Sequence, residues 1–197
     1  MRKIFYLFIF IGTAAYSQDF NKNVATAKSS YGSGDLENAR FAMEQMLRDL
    51  DIEIGKEILK LLPAQIGALK SDPKSDNLSG GTGYAGLFVQ RSYGASPKSG
   101  QVEIINNSPL INSLQTILTA PILGGMMRDE NQKQIKVQGY KALLTKSVNS
   151  ETAKTNYELQ IPMNNTLVTL RMDDTNEQEI TAAANNIPLA KIVAIAQ

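Results

Sequence analysis

The stretch YELQIPMNNTLVTLRM, residues 157–172, sets the fold class. Tyr157, Leu159 and Ile161 recur at a period of two, and so do Val168, Leu170 and Met172. Between them, Asn164-Asn165 supplies residues that tolerate the positive φ of a tight hairpin, and strands joined by so short a turn run antiparallel. The same period recurs upstream at Leu87, Val89 and Tyr93, at Val102 and Ile104, at Ile135 and Val137, and at Tyr140, Ala142 and Leu144. The pattern predicts a sheet of about six strands, with joints at Gly94 to Gly100, at Gly139 and at Asn149 to Lys154.

Helical patterns surround and interrupt these runs. Ser108-Pro109 fits an N-cap followed by proline, and Leu110, Leu114, Ile117 and Leu118 form an apolar stripe before Pro121. Thr175-Asn-Glu-Gln178 fits a capping box ahead of Ile180, Ala183 and Ala184, and a last short helix spans Leu189 to Ile195. Near the start, a helix over Lys22 to Tyr31 ends at Gly32-Ser-Gly34, and Asp35 can cap the next. That next helix carries Met43, Met46, Leu47, Leu50, Ile54, Ile58, Leu61 and Leu62 at steps of three and four until Pro63, with Gly55 as a point where it can divide and Glu44–Arg48 as a supporting pair.

Residues 67–83, GALKSDPKSDNLSGGTG, are rich in turn formers and read as a linker or loop. The organisation expected is therefore a signal peptide over 1–17, a helical segment over 18–66, the linker over 67–83 and an antiparallel α+β domain over 84–197. The fold class is α+β: an N-terminal helical hairpin, then an antiparallel sheet of about six strands with one inserted helix and C-terminal helices, covered on one face.

Ala27, Tyr31, Gly34, Asp35, Ala39 and Ala42 resemble one tetratricopeptide hairpin, in which small residues let two helices approach closely. A single copy makes an ordinary hairpin rather than a solenoid, because such repeats bury their cores by stacking on one another. Tyr93-Gly94, Val102-Glu-Ile104, Asn107-Ser-Pro-Leu110, Ile135 to Ala142, Val168-Thr-Leu170 and Ile187-Pro-Leu189-Ala-Lys-Ile192 resemble an uncharacterised family of exported, Bacteroidota-like envelope proteins across roughly residues 84–195. The order of strands, Gly-Tyr turn and terminal helices is similar in architecture to DcrB/PsbP-like domains. The resemblance implies a helix-backed antiparallel sheet in an envelope accessory and carries over no catalytic residues.

MRKIFYLFIFIGTAAYS, residues 1–17, places Arg2 and Lys3 before an apolar run and sets Ala15 and Ser17 at small-residue spacing, as a secretory signal cleaved before Gln18 does. The apolar run is shorter than the roughly 20 residues that span a bilayer, so no transmembrane segment is expected after cleavage. The expected location is exported, in the periplasm or at the outer membrane of a Gram-negative bacterium. Of 20 Lys+Arg and 19 Asp+Glu, the signal holds two bases and no acid, which leaves a formal charge of −1 and no electrostatic pull toward nucleic acid.

The chain has no His, Cys or Trp. Imidazole and thiolate metal sites, disulfides and His-activated nucleophiles are thereby excluded, and no cofactor is expected. Chemistry falls to carboxylates, Lys, Tyr and Ser. Ser79-Gly-Gly-Thr-Gly83 lacks the lysine of a phosphate loop, and the Gly124-Gly125-Met126-Met127 stretch reads as a loop. Asp72 with Asp76, Asp129-Glu130, and Asp173-Asp174 with Glu177 and Glu179 lack the spacing of a calcium loop, the last reading as charge at a helix start. A Ser92–Lys98 pair, or a groove lined by Tyr31, Tyr84, Tyr93, Tyr140 and Tyr157, are the remaining candidates. The leading expectation is a non-enzymatic envelope protein with a protein partner, with Met43, Met46, Leu47, Leu50 and Ile54 as the possible partner-binding stripe unless that stripe packs on the protein's own sheet. The alternatives are a carrier of a small apolar ligand or lipid, and a carboxylate-based hydrolase.

Overall fold

The structure is a computed structural model that describes residues 15–81, 86–119 and 130–196. The chain divides into two compact units, Met1–Asp49 and Leu50–Gln197. Over its first 14 residues the expected signal peptide lies outside the described residues, as do Tyr84, Pro121, Asp129 and the Gly124 to Met127 loop.

In the first unit α1 (Ala15–Ser33) is longer than the pattern indicated, and α2 (Leu36–Leu61) begins here and continues into the second unit. Gly34 at φ 83° closes α1, and Asp35 Oδ1 accepts the backbone N–H of Asn38 at 3.1 Å, so the break and the cap fall where glycine and aspartate demand them. Asn38 Nδ2 donates to Ser30 Oγ at 3.0 Å, bridging the two helices. Arg40, rather than Arg48, pairs with Glu44, at 3.0 Å.

The second unit is an antiparallel sheet of eight strands among the described residues: β1 (Gln65–Ile66), β2 (Leu69–Ser79), β3 (Phe88–Ala95), β4 (Lys98–Asn106), β5 (Gln132–Val137), β6 (Tyr140–Val148), β7 (Thr155–Met163) and β8 (Thr166–Met172). Their order is β1-β2-β3-β4-β8-β7-β6-β5. All six expected strands are present. Two more are added: β1 falls at the end of the segment expected to be helical, and β2, 11 residues long, corrects the reading of 67–83 as a linker. β2 pairs with β3 at Ser71–Asp72 and again at Asn77–Ser79, and the register shift between Asp72 and Asn77 erased the alternation. Three helices complete the unit: α3 (Leu110–Thr119), α4 (Glu177–Asn185) and α5 (Leu189–Ala196).

Register sorts the side chains into two faces. One carries Leu144, Leu159, Leu170 and Val102 in a cross-strand row, and joins the buried Ile58 and Leu62 of α2, Ile180 of α4 and Ile192 of α5 in one core. Full burial of each such side chain contributes about 1.5–3 kcal/mol. On the opposite face, α3 sets Ile111, Leu114 and Leu118 on Leu143 and Leu167. Helices thus lie on both faces, not one, because the inserted helix returns to the side opposite α4 and α5.

Two local expectations shift. Gly55 does not divide α2; a Cβ there would meet Leu78 Cδ1 and lie 2.9 Å from Leu87 Cδ1, so glycine admits Leu78 of β2 and Leu87, just before β3, close to the helix. The N-cap of α4 is Asn176 rather than Thr175, its Oδ1 accepting the Glu179 N–H at 3.0 Å.

Candidate functional site

The stripe of α2 splits by environment. In the helical unit Leu36 is 63% exposed, Met43 48% and Leu47 63%, and Met46 is half-buried. Buried positions here are small: Ala27 and Ser30 on α1, Ala39 and Ala42 on α2. In the sheet unit Leu50 is 51% exposed, Ile54 rests partly buried against the core, and Ile58 and Leu62 are inside it. The reading that the stripe packs on the sheet therefore holds from Ile54 onward and fails at Leu50.

At the C-terminal end of α2 a polar centre lies where the pattern showed none. Arg91 is 9% exposed and stands on the core face of β3, ending the row of Val102, Leu170, Leu159 and Leu144. Its Nε and Nη2 donate to Asp76 Oδ1 and Oδ2 at 2.9 and 2.5 Å. Nη1 donates to the carbonyls of Leu59 and Leu62 at 2.9 and 3.3 Å, which satisfies the last turn of α2. Tyr93, fully buried beside it, donates its hydroxyl to the Pro63 carbonyl at 3.1 Å. The bond to Asp76 raises the Arg91 pKa, and burial pushes the Tyr93 phenol up to about 12. The four Arg91 bonds and the Tyr93 bond all end on the Leu59, Leu62 and Pro63 carbonyls at the end of α2 and on Asp76 of β2, so the chemistry of this centre is that of a clamp between helix, β2 and β3.

The acidic candidates are dispersed into pairs. Asp173 accepts from Ser99 at 2.5 Å, Asp174 pairs with Lys154 at 2.7 Å and Glu177 with Lys133 at 2.6 Å. Glu179 accepts from Thr175 at 2.8 Å and from Lys98 at 3.1 Å, bonds that lower its pKa. Among the described residues no three carboxylates are grouped so as to hold a metal ion. Lys98, engaged by Glu179, is not brought to Ser92. The tyrosines do not form one groove: Tyr93 is in the core, Tyr140 and Tyr157 pack against it, and Tyr31 is exposed in the other unit.

Sequence reasoning also missed a polar row on the second face of the sheet, where Gln132, Thr145, Glu158, Arg171, Gln101 and Ser92 stand side by side across six strands. Arg171 Nε donates to Glu158 at 2.6 Å and Nη1 to Glu103 at 3.3 Å. Burial works against its charge, and the two carboxylates outweigh that and raise its pKa. The signal was legible as polar residues filling every alternate place. No described helix is long and apolar enough to cross a membrane. Comparison with known protein families, curated proteins and solved structures finds no match to this chain.

Proposed function

We propose that this is a non-enzymatic, exported envelope protein whose helical unit binds a protein partner. The observation that carries the reading is the inverted packing of that unit, where small side chains are buried while Leu36, Met43 and Leu47 stand exposed at i, i+7 and i+11 along α2. A two-helix unit buries too little to be self-sufficient, and a hairpin of tetratricopeptide kind gains its core from a neighbouring helix. The partner chemistry that fits is an amphipathic helix laying leucine- or methionine-sized side chains against this stripe. Export rests on the sequence of residues 1–17.

Two measurements test the reading. Intact mass of the protein recovered outside the cytoplasm should begin at Gln18; retained Met1 argues against export. A photo-crosslinker at Leu47 should join one specific partner, and Met43→Asp should abolish the adduct while leaving the melting temperature unchanged. An adduct that survives Met43→Asp removes the stripe from the function.

A further inference from the structure

We infer that one end of the sheet unit docks on the surface of an anionic phospholipid bilayer. This goes beyond the helical stripe and stands on different residues. The end in question carries the β5–β6 turn, the β7–β8 turn at Asn164-Asn165, the last residues of β4, and α3 and α5. Asn106 of β4 is opposite Thr166 of β8 and donates through Nδ2 to the Ala196 carbonyl at 2.7 Å, which brings the end of α5 here. Gln138, in the β5–β6 turn, donates through Nε2 to the Ile187 carbonyl at 2.7 Å, which brings the start of α5 here too.

The described segments that build this end carry no acidic side chain. Residues 104–119, 131–150, 159–172 and 180–196 have neither Asp nor Glu. Among the described residues, the charges near the turn and the helices are Lys136, Lys141 and Lys191, all exposed. Lys136 and Lys141 are direct cross-strand partners, an arrangement that repels in water and that an anionic surface relieves. On the β2 side of this end Asp51 of α2 accepts from the Gly81 N–H at 3.1 Å, and five strands separate β2 from β5. The acidic side chains of the 173–179 segment serve the opposite end, where Ser99 and Lys98 of the β3–β4 hairpin meet them.

The same end presents apolar side chains beside its lysines. α3 is seated over β5 and β6 by Gln134, which donates to the Ile117 carbonyl at 2.8 Å, and by Lys141, which donates to the Leu118 carbonyl at 3.1 Å. While Ile111, Leu114 and Leu118 face the sheet, Leu110 is 49% and Ile117 43% exposed. From Ile104 to Met127 the sequence is free of charge. Lysines flanking an uncharged helix with outward Leu and Ile fit a bilayer interface, where ammonium groups meet phosphate and the apolar side chains enter the headgroup boundary. A soluble acidic protein would reward the lysines and leave Leu110 and Ile117 unexplained.

The absence of cysteine makes a site-specific probe simple. In the full chain, Ile117→Cys carrying an environment-sensitive fluorophore reports insertion of α3, and Ser150→Cys, in the β6–β7 joint, reports the opposite end. We expect phosphatidylglycerol vesicles to blue-shift the label at 117 and not the label at 150, and phosphatidylcholine vesicles to shift neither. With roughly fivefold in affinity for each lysine near an anionic surface, Lys136→Glu with Lys191→Glu, which leaves the Lys141 seat of α3 intact, should weaken the response at least about thirty-fold. Raising the salt to ~1 M, where screening extends over only about 3 Å, should weaken it without any substitution. Equal shifts at both labels, as from the apolar run of residues 4–11 alone, or a response indifferent to the lysines and to salt, would overturn the proposal, as would no response to either vesicle.

Discussion

Arg91 joins three elements through one guanidinium, and its worth follows from what removal leaves behind. Without it, Asp76 keeps a carboxylate in a site where only 14% of its side chain is exposed, and the Leu59 and Leu62 carbonyls lose their donor. We expect Arg91→Ala to cost about 3–5 kcal/mol in urea unfolding and the Arg91→Ala/Asp76→Ala pair to cost less than the single change, since the stranded charge is then gone. An additive double variant would refute the clamp. Tyr93 yields a pH prediction. Its phenol is raised to about 12 mainly by burial, so its contribution is complete below the ordinary value near 10 and is lost as pH rises through about 12. Melting temperature should fall steeply between pH 10 and 12, and Tyr93→Phe should flatten that fall at a cost of about 1 kcal/mol near neutrality for the bond to Pro63. The sequence displayed the clamp as a gap: Leu87, Val89 and Tyr93 share a period of two, and the place between Val89 and Tyr93 at that period is Arg91. A cation at a core position of a strand is legible as an anomaly; its partner Asp76 was not, because only the irregular path of β2 brings it there.

Elements with uninterrupted periodicity were readable, and those whose backbone departs from regular geometry were not. The β7–β8 hairpin follows from Asn164, which adopts φ 52° as the turn requires, and the β5–β6 hairpin from Gln138 and Gly139 at 50° and 87°. β2 escaped because Pro73 and four charged residues occupy it; its long burial contacts are reduced to Leu69 and Leu78. Proline and charge are what a strand near a sheet edge carries to deter pairing with another chain, so a polar stretch can be strand. Gly55 was misread for the complementary reason. In a solvated helix Gly→Ala gains about 1 kcal/mol. Here the added methyl would meet Leu78 and Leu87 side chains in the packed contact between α2 and the sheet. We therefore expect Gly55→Ala to lower the melting temperature and Gly55→Val to lower it further; a rise with Gly55→Ala would mean that Leu78 moves aside freely and that glycine is there for no packing reason.

At the scale of the whole molecule, a single helix belongs to two units, and this decides how substitutions along it behave. The regular apolar spacing from Met43 to Leu62 could not reveal the division, since the same 3.6-residue period describes a helix face buried in a core and one left exposed. What distinguishes them is the neighbour each side chain meets. Ile58 is fully buried in the core formed with β3, β4 and the C-terminal helices, so Ile58→Asp places an uncompensated carboxylate among apolar side chains and should cost several kcal/mol, a large fraction of the stability of a domain this size. Leu50, two turns earlier, is about half exposed, and a carboxylate there keeps its water. Leu50→Asp should therefore shift the melting temperature by no more than a few degrees, which reverses the outcome expected if the entire stripe packed on the sheet. Thermal unfolding of the two variants side by side checks this. Equal, severe destabilisation by both would return Leu50 to the core and take away the surface on which partner binding was proposed. A stable Leu50→Asp beside an unfolded Ile58→Asp would fix the end of the core between those two residues and leave the preceding turns of α2 free for another molecule.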